Sequence, residues 1–370
     1  KHFPPCKTGH FLLFSSGPLS SINILSFSAF DNSNAENIPA GPAPTMITSY
    51  TLRHRLVYPI NNLVLALHYL DLAMNNFRVS IRFATPFPAL LIGGSKRTLV
   101  IADLHIGWET ELSRKGIYIP TQTAKLLEEA EKAIEAFKPQ KLVILGDLKH
   151  TIVGVEAEEW KEIPHFLETL NSMVKEVIVV PGNHDGGLST LLPENIRLES
   201  SDGIAINGVA LLHGHTWPNP KLLEYEVMVI GHVHPVVSFR EFGFRFVQRV
   251  WFIASCESSI LARRILRNLG VNRKEEPEEI LRDMFGIKLK VKKIIVLPSF
   301  NGFLGGQPVN VSNWGGEELI GPIMRCGCID FVNAEVYMID GTFLGNIMPV
   351  SYTHLRAHET EADLVCRLLL

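Results

Sequence analysis

Five short motifs bearing histidine and aspartate follow one another along the chain, each at the end of an apolar run: Asp103-Leu104-His105, Gly146-Asp147, Gly182-Asn183-His184-Asp185, His213-Gly214-His215 and Gly231-His232-Val233-His234. A single histidine at a strand end is usually a hydrogen-bonded structural residue. Five such motifs in series, each behind a strand-like run, are a pattern that only a shared site explains. Together they offer carboxylate, imidazole and carboxamide groups for a pair of metal ions.

The runs are Leu99 to Ala102, Leu142 to Leu145, Val177 to Val180, Val209 to Leu212 and Val227 to Ile230. Short continuous apolar runs read as strands buried on both faces. In open α/β sheets, ligands gather beyond the carboxyl ends of such strands, where loops converge while the strands stay rigid. A donor set of Asp, His and Asn without Cys suits Mn, Fe or Zn better than copper or an iron–sulfur cluster. Asp147 has two carboxylate oxygens with which to bridge two ions. Ions roughly 3.5–4 Å apart can clamp a phosphoryl group for in-line displacement.

The order D-x-H, G-D, G-N-H-D, H, G-H-x-H resembles the calcineurin-like metallophosphoesterases from about Phe83 to about Ile347. Asp-Leu-His-Ile-Gly-Trp-Glu at 103–109, Gly116 to Pro120 and Leu297-Pro298-Ser299-Phe300-Asn301 are similar to the predicted phosphoesterases of archaea. That branch is related to the DNA-ligase-associated phosphoesterases and, more distantly, to the nuclease subunit of double-strand-break repair. The resemblance implies an α/β fold of two facing mixed β-sheets flanked by helices, a four-layer sandwich with the metals at one edge. It further implies that Asp103, His105, Asp147 and His234 hold one divalent ion and that Asp147, Asn183, His213 and His232 hold the other, manganese before iron or zinc. His184 is then the general acid or charge stabiliser facing the leaving group, a task that suits an imidazole, and Asp185 orients it. His215 reads equally well as a support beside the ligands or as a strand-edge histidine.

Gly146-Asp147 continues as Leu148-Lys149-His150-Thr151, whereas protein phosphatases of this superfamily continue with an Asp-Arg pair. The repair nucleases carry a histidine at the place of His150, where it supports the catalytic histidine. That leans toward phosphodiesters and a nuclease of DNA repair; a plain loop histidine is the competing reading. Two other functions stand beside it: a phosphomonoesterase or nucleotide hydrolase, and a non-catalytic scaffold on the same fold. The scaffold is disfavoured because no ligand is missing.

A hydrophobic share of 46% and a charged share of 20% over 370 residues fit a globular protein with a sizeable core. The net charge of −3 gives no global attraction to nucleic acid. Any such partner must use a local patch, with Arg263-Arg264, Arg267, Arg273-Lys274 and Lys288 to Lys293 as candidates. Five cysteines without a C-x-x-C pair point to a reducing, cytoplasmic setting, and Cys326-Gly-Cys328 is too short for a zinc knuckle by itself. No apolar run reaches transmembrane length, so no membrane association is expected.

The chain divides unevenly. Residues 1–73 are rich in Ser, Pro, Asn and Gly with very few charges, and read as a non-native or disordered extension, with Met74 as a candidate start and a helix-like stretch at Ile60 to Met74. The enzyme domain is expected over 74–348. Residues 349–370 resemble the in-frame translation of a sequencing-library adapter and primer, so His354, His358 and Cys366 are set aside as ligands. Within the domain, Pro120 to Phe137 has the three-and-four apolar spacing of an amphipathic helix. Ala157 to Val174 reads as a second helix with a kink at Pro164. Phe239 to Ala254 reads as strands, Ser258 to Met284 as a charged helical stretch within an insertion or cap spanning 258–290, and Ile294 to Leu297 and Val336 to Ile339 as returning strands.

Overall fold

The computed structural model of the chain describes residues 79–93, 96–241, 244–311 and 319–347. The expected extension at 1–73, including the helix-like stretch before Met74, and the adapter-like segment at 349–370 lie outside the described residues. The strands are β1 (Ile81–Phe83), β2 (Leu90–Ile92), β3 (Thr98–Ile101), β4 (Lys141–Leu145), β5 (Glu176–Val180), β6 (Arg197–Leu198), β7 (Ile204–Ile206), β8 (Val209–Leu212), β9 (Val227–Ile230), β10 (Pro235–Glu241), β11 (Phe244–Ser255), β12 (Lys293–Val296), β13 (Gln307–Pro308), β14 (Glu335–Met338) and β15 (Phe343–Asn346). The helices are α1 (Glu109–Arg114), α2 (Thr123–Phe137), α3 (Ala157–Met173), α4 (Ser258–Asn268), α5 (Pro277–Phe285) and α6 (Pro322–Arg325).

These strands build two mixed sheets. The first runs β1-β2-β3-β4-β5-β6, and the second runs β13-β10-β11-β12-β9-β8-β7 with β14 and β15 added beside β11. In the first, β3, β4, β5 and β6 are parallel; in the second, β8, β9 and β12 are parallel. Every residue of β3, β8 and β9 is buried, which explains their continuous apolar sequences: a strand covered on both faces has no polar side to show.

Three apolar clusters fill the layers. Val100, Val143, Ile178 and Val180 of the first sheet meet Leu211, Val229, Trp251 and Ile295 of the second in one core between the sheets. Behind the first sheet, Leu126, Ala130 and Ile134 of α2 and Ile163, Phe166 and Leu170 of α3 cover Leu99, Leu142 and Val177. Behind the second, Leu261, Ile265 and Leu266 of α4 and Ile280 and Leu281 of α5 cover Met228, Phe252 and Ile294. The result is the four-layer arrangement of helices, sheet, sheet, helices.

Three local expectations change in detail. The first amphipathic helix begins at Thr123, because 120–122 are drawn to α1: the Gln122 amide donates to the Glu109 carboxylate. The second helix runs on through Pro164. The charged stretch at 258–284 is two helices, since Pro277 starts a new one, where its missing N–H costs nothing. Both pack into the core of the second sheet and form its outer layer.

Trp251 is fully buried and stacks on Phe83 with ring centroids 4.2 Å apart, joining the two sheets. Replacing it with alanine should lower stability by about 3–5 kcal/mol in a urea unfolding experiment. Trp160→Ala, at a residue 52% exposed, should shift it by no more than ~0.5 kcal/mol.

Candidate metal centre

The motif loops begin where the parallel ladders end, and backbone hydrogen bonds carry the pairing beyond the strands. Asp103 N donates to Gly146 O (3.1 Å), His105 N to Asp147 O (2.8 Å), and Ile106 N to Leu148 O (2.9 Å). Across the sandwich, Gly231 N donates to His213 O (3.0 Å). Asp103, His105, Asp147, His232 and His234 all have positive φ, between +46° and +69°. Asp and His tolerate this left-handed region better than most residues, yet each such residue stores on the order of 1–3 kcal/mol of strain. The strain turns each side chain inward.

Two glycines make room. A Cβ on Gly146 would overlap the imidazole of His213, and one on Gly182 would overlap the Asp147 carboxylate. These motif glycines let two loops approach the ligands' side chains closely.

The expected ligands meet in two of three such groups among the described residues, the third being His105, His150 and His184. Ligand atoms of Asp103, His105 and His234 lie within 4.8 Å of one another, as do those of Asp147, His213 and His232. Asp147 stands between the groups: its Oδ2 is 3.4 Å from His105 Nε2 and 3.3 Å from His213 Nε2. Its Oδ1 accepts the His184 amide at 2.9 Å. Asp103 Oδ1 is 3.3 Å from His234 Nε2, and both its carboxylate oxygens accept the His232 amide. His105 Nε2, His213 Nε2, His234 Nε2 and Asn183 Oδ1 are buried without a hydrogen-bond partner. Four such atoms beside two carboxylates make a donor set that a cation would satisfy, because buried polar atoms are otherwise paired. Two divalent cations fit this donor set.

The electrostatics follow from burial against pairing. Burial alone would raise both carboxyls, but the charges of His234 on Asp103 and of His213 on Asp147 hold them below the ordinary carboxylate range. Conversely, burial works against a charged His213, and Asp147 and Asp103 overcome it, pushing the imidazole up to about 9. His234 is raised against its own burial by Asp103. Burial keeps His105 neutral, down to about 3, and His232 down to about 4. The cluster thus favours positive charge, and His213 and His234 are both shifted toward the protonated form.

His184 lines a cleft of about 430 Å³ together with His105, Asp147, Asn183, His232 and His234. Its Nδ1 is hydrogen-bonded to the carbonyl of His150. This corrects the expected task of Asp185, whose oxygens instead accept the amides of Lys149 (3.2 Å) and Gly182 (2.7 Å). Asp185 therefore braces the loops, and burial raises its carboxyl to about 6. The His150 carbonyl is the partner of His184 Nδ1, and the His150 ring lies with Nδ1 3.2 Å from His105 Nδ1. His215 sits with its ring 5.2 Å from that of His213, with a buried, unpartnered Nδ1. A larger hollow of about 510 Å³, lined by Val79, Tyr225 and Lys290, opens at the amino-terminal ends of β9 and β12, away from these residues.

Two supporting contacts escaped the sequence reading, one of them from Asn301 of the 297–301 motif. Asn301 is fully buried and donates its side-chain amide to Leu104 O at 2.8 Å, clamping the Asp103–His105 loop. Glu159 is also fully buried, and its carboxylate accepts the amides of His150 and Thr151. With Glu156 it forms a capping box at the start of α3, with Glu at the N-cap in place of the usual Ser or Thr.

The calcineurin-like phosphoesterase family model matches residues 96–319, and so spans all five motifs. Among solved structures, the Pseudomonas putida nuclease MPE aligns over 71% of this chain and 98% of that chain, at 15% identity and a TM-score of 0.39. The phosphoesterase YfcE from E. coli aligns over 40% of this chain and 75% of its own, at 22% identity and a TM-score of 0.26. Vacuolar Protein Sorting 29 from Cryptosporidium parvum aligns over 40% and 71%, at 19% identity and a TM-score of 0.21. No curated protein matches the sequence.

Gly146→Ala should destabilise the fold by about 1–3 kcal/mol through overpacking, beyond the positive-φ strain. Gly154→Ala isolates that strain, because Gly154 also has positive φ but faces open space. Equal urea midpoints for the two variants would contradict the close fit of Gly146 against His213.

Proposed function

The chain belongs to the calcineurin-like phosphoesterase family, and we propose that it is a dinuclear-metal phosphodiesterase acting on nucleic acid, with a place in DNA repair. The observation that carries the reading is the position of Asp147, whose single Oδ2 faces a histidine nitrogen from each of the two groups. Asp103, His105 and His234 with Asp147 would hold one cation; Asn183, His213 and His232 with Asp147 would hold the other, manganese being the expected ion. Bound cations supply positive charge against the phosphoryl oxygens and activate the attacking water.

The chain's own residues do the rest. His184, whose Nδ1–H donates to the His150 carbonyl, would in its imidazolium form give the Nε2 proton to the departing oxygen. Asn183 lines the same cleft and offers a neutral oxygen where a third carboxylate would add excess negative charge. Asp185 and Glu159 hold the loops that carry Asn183, His184 and His150. The diester preference rests on His150, which stands three residues after Asp147 and is joined to His184 through its carbonyl.

With manganese, the full chain should hydrolyse bis-p-nitrophenyl phosphate faster than p-nitrophenyl phosphate and should cleave single-stranded DNA. The reverse preference, with no DNA cleavage, would establish the phosphomonoesterase instead. Asp147→Asn should lose most turnover and bound manganese together, because a neutral amide bridges two cations poorly. His184→Ala should keep its manganese and lose ~10²–10⁴-fold in turnover; metal analysis beside the assay separates the two roles.

A further inference from the structure

We propose that Phe303 is a stacking platform for an unpaired base beside the metal centre and that Lys125 meets an adjoining phosphate, so that the site selects single-stranded nucleic acid. The proposal rests on the nucleic-acid reading above and deepens it, by naming the strand form and the two residues that recognise it.

Phe303 is 53% exposed, on the loop between β12 and β13. Both ends of this loop are fastened to the ligand loops. Before Phe303, the Phe300 amide donates to Ala102 O at 2.7 Å, and Arg249 donates to the carbonyls of Ser299 and Phe300. After it, the Gln307 amide donates to His234 O at 3.0 Å, and Gly306 passes so close to that carbonyl that a Cβ would overlap it. Between these anchors, the Phe303 amide donates to Asn301 Oδ1 at 3.0 Å, and the other end of the same side chain clamps Leu104. Two residues beyond Phe303, Gly305 and Gly306 line the cleft with His105, His184 and His234. The ring therefore stands at the rim of the cleft on a rigid mount.

An exposed aromatic ring is unremarkable alone. This one has two neighbours that give it a use. Trp108 backs it, with ring centroids 5.7 Å and planes 19° apart, and the Trp108 amide donates to His105 O at 3.2 Å. Lys125, an exposed residue of α2, places its ammonium 5.5 Å from the Phe303 centroid. Among the described residues no carboxylate pairs with that ammonium. A π-face and an ammonium side by side match the two parts that every nucleotide presents, a flat base and an anionic phosphate. A cation over an exposed ring is held only weakly, so an arriving base displaces the flexible lysine from the ring toward the backbone phosphate. Inside a duplex, both faces of a base are already stacked on its neighbours. Only an unpaired base can be splayed out onto a protein ring, which is why this platform selects single strands.

The test uses the full chain carrying His184→Ala, with manganese, so that a bound strand is not consumed. Fluorescence anisotropy reads the binding of labelled oligothymidylate, of the same strand paired with oligoadenylate, and of a base-free oligomer with the same phosphates and abasic sugars. Single-stranded oligothymidylate should bind most tightly. Adding Phe303→Ala should weaken it about 5–150-fold and leave the base-free strand unchanged, which also shows that the cleft is intact. Phe303→Tyr, which keeps the ring, should retain the preference. Lys125→Met should weaken both single strands alike and lower the slope of log affinity against log salt by about 0.7. Equal affinity for the base-bearing and base-free strands, or none for either, would overturn the proposal. So would a Phe303→Ala chain that weakens both strands equally or neither. A chain that prefers the base-bearing strand yet cleaves no strand once His184 is restored would refute the proposed function alone, so the two failures are distinguishable.

Discussion

Two buried carboxylates, Asp103 and Asp147, each lie within 3.6 Å of the His213 ring at the edge where the two sheets meet, and the rest of the site answers to their charge. A buried carboxylate without compensation would take up a proton rather than stay ionised. Here both are held low by surrounding imidazoles, and His213 and His234 are shifted toward the charged form in return. The fold therefore favours positive charge at this point, and divalent cations would supply it to groups that already face inward.

Such a site needs rigid delivery from distant parts of the sequence. The parallel strands β3, β4 and β5, and β8, β9 and β12, all end near the same edge, and their ladders continue one or two residues into the motif loops. Left-handed backbone at Asp103, His105, Asp147, His232 and His234 then swings the side chains toward one another. That strain is held by deeply buried braces. Asn301 clamps the first loop, and Glu159 and Asp185 clamp the loop after Asp147. A site assembled on flexible loops would relax away from this geometry; one assembled on strand ends and buried hydrogen bonds cannot do so cheaply.

The seven ligand-type residues and the strands before them were legible because the two signals coincide: a doubly covered strand must be apolar throughout, and the first residues beyond it must be polar to be of use. The outer helices were legible from their apolar spacing, apart from the break before Pro277. Side-chain direction was less accessible. Asp185 follows His184 directly, yet it turns toward the amides of Gly182 and Lys149, and the carbonyl of His150 takes its expected place. Adjacency along a loop says little about where two side chains point. The clamp made by Asn301 was inaccessible for a different reason: the residue stood in the 297–301 motif, but its partner Leu104 is 197 residues away, a separation that only the folded chain closes.

The most direct test of the account is to locate cations. Crystals of the full chain grown with manganese should give two anomalous-scattering peaks, roughly 3.5–4 Å apart, with Asp147 touching both. The first should also touch Asp103, His105 and His234, and the second Asn183, His213 and His232. A single peak away from Asp147, or none in the cleft at saturating manganese, would contradict the claim that this carboxylate joins two metal sites.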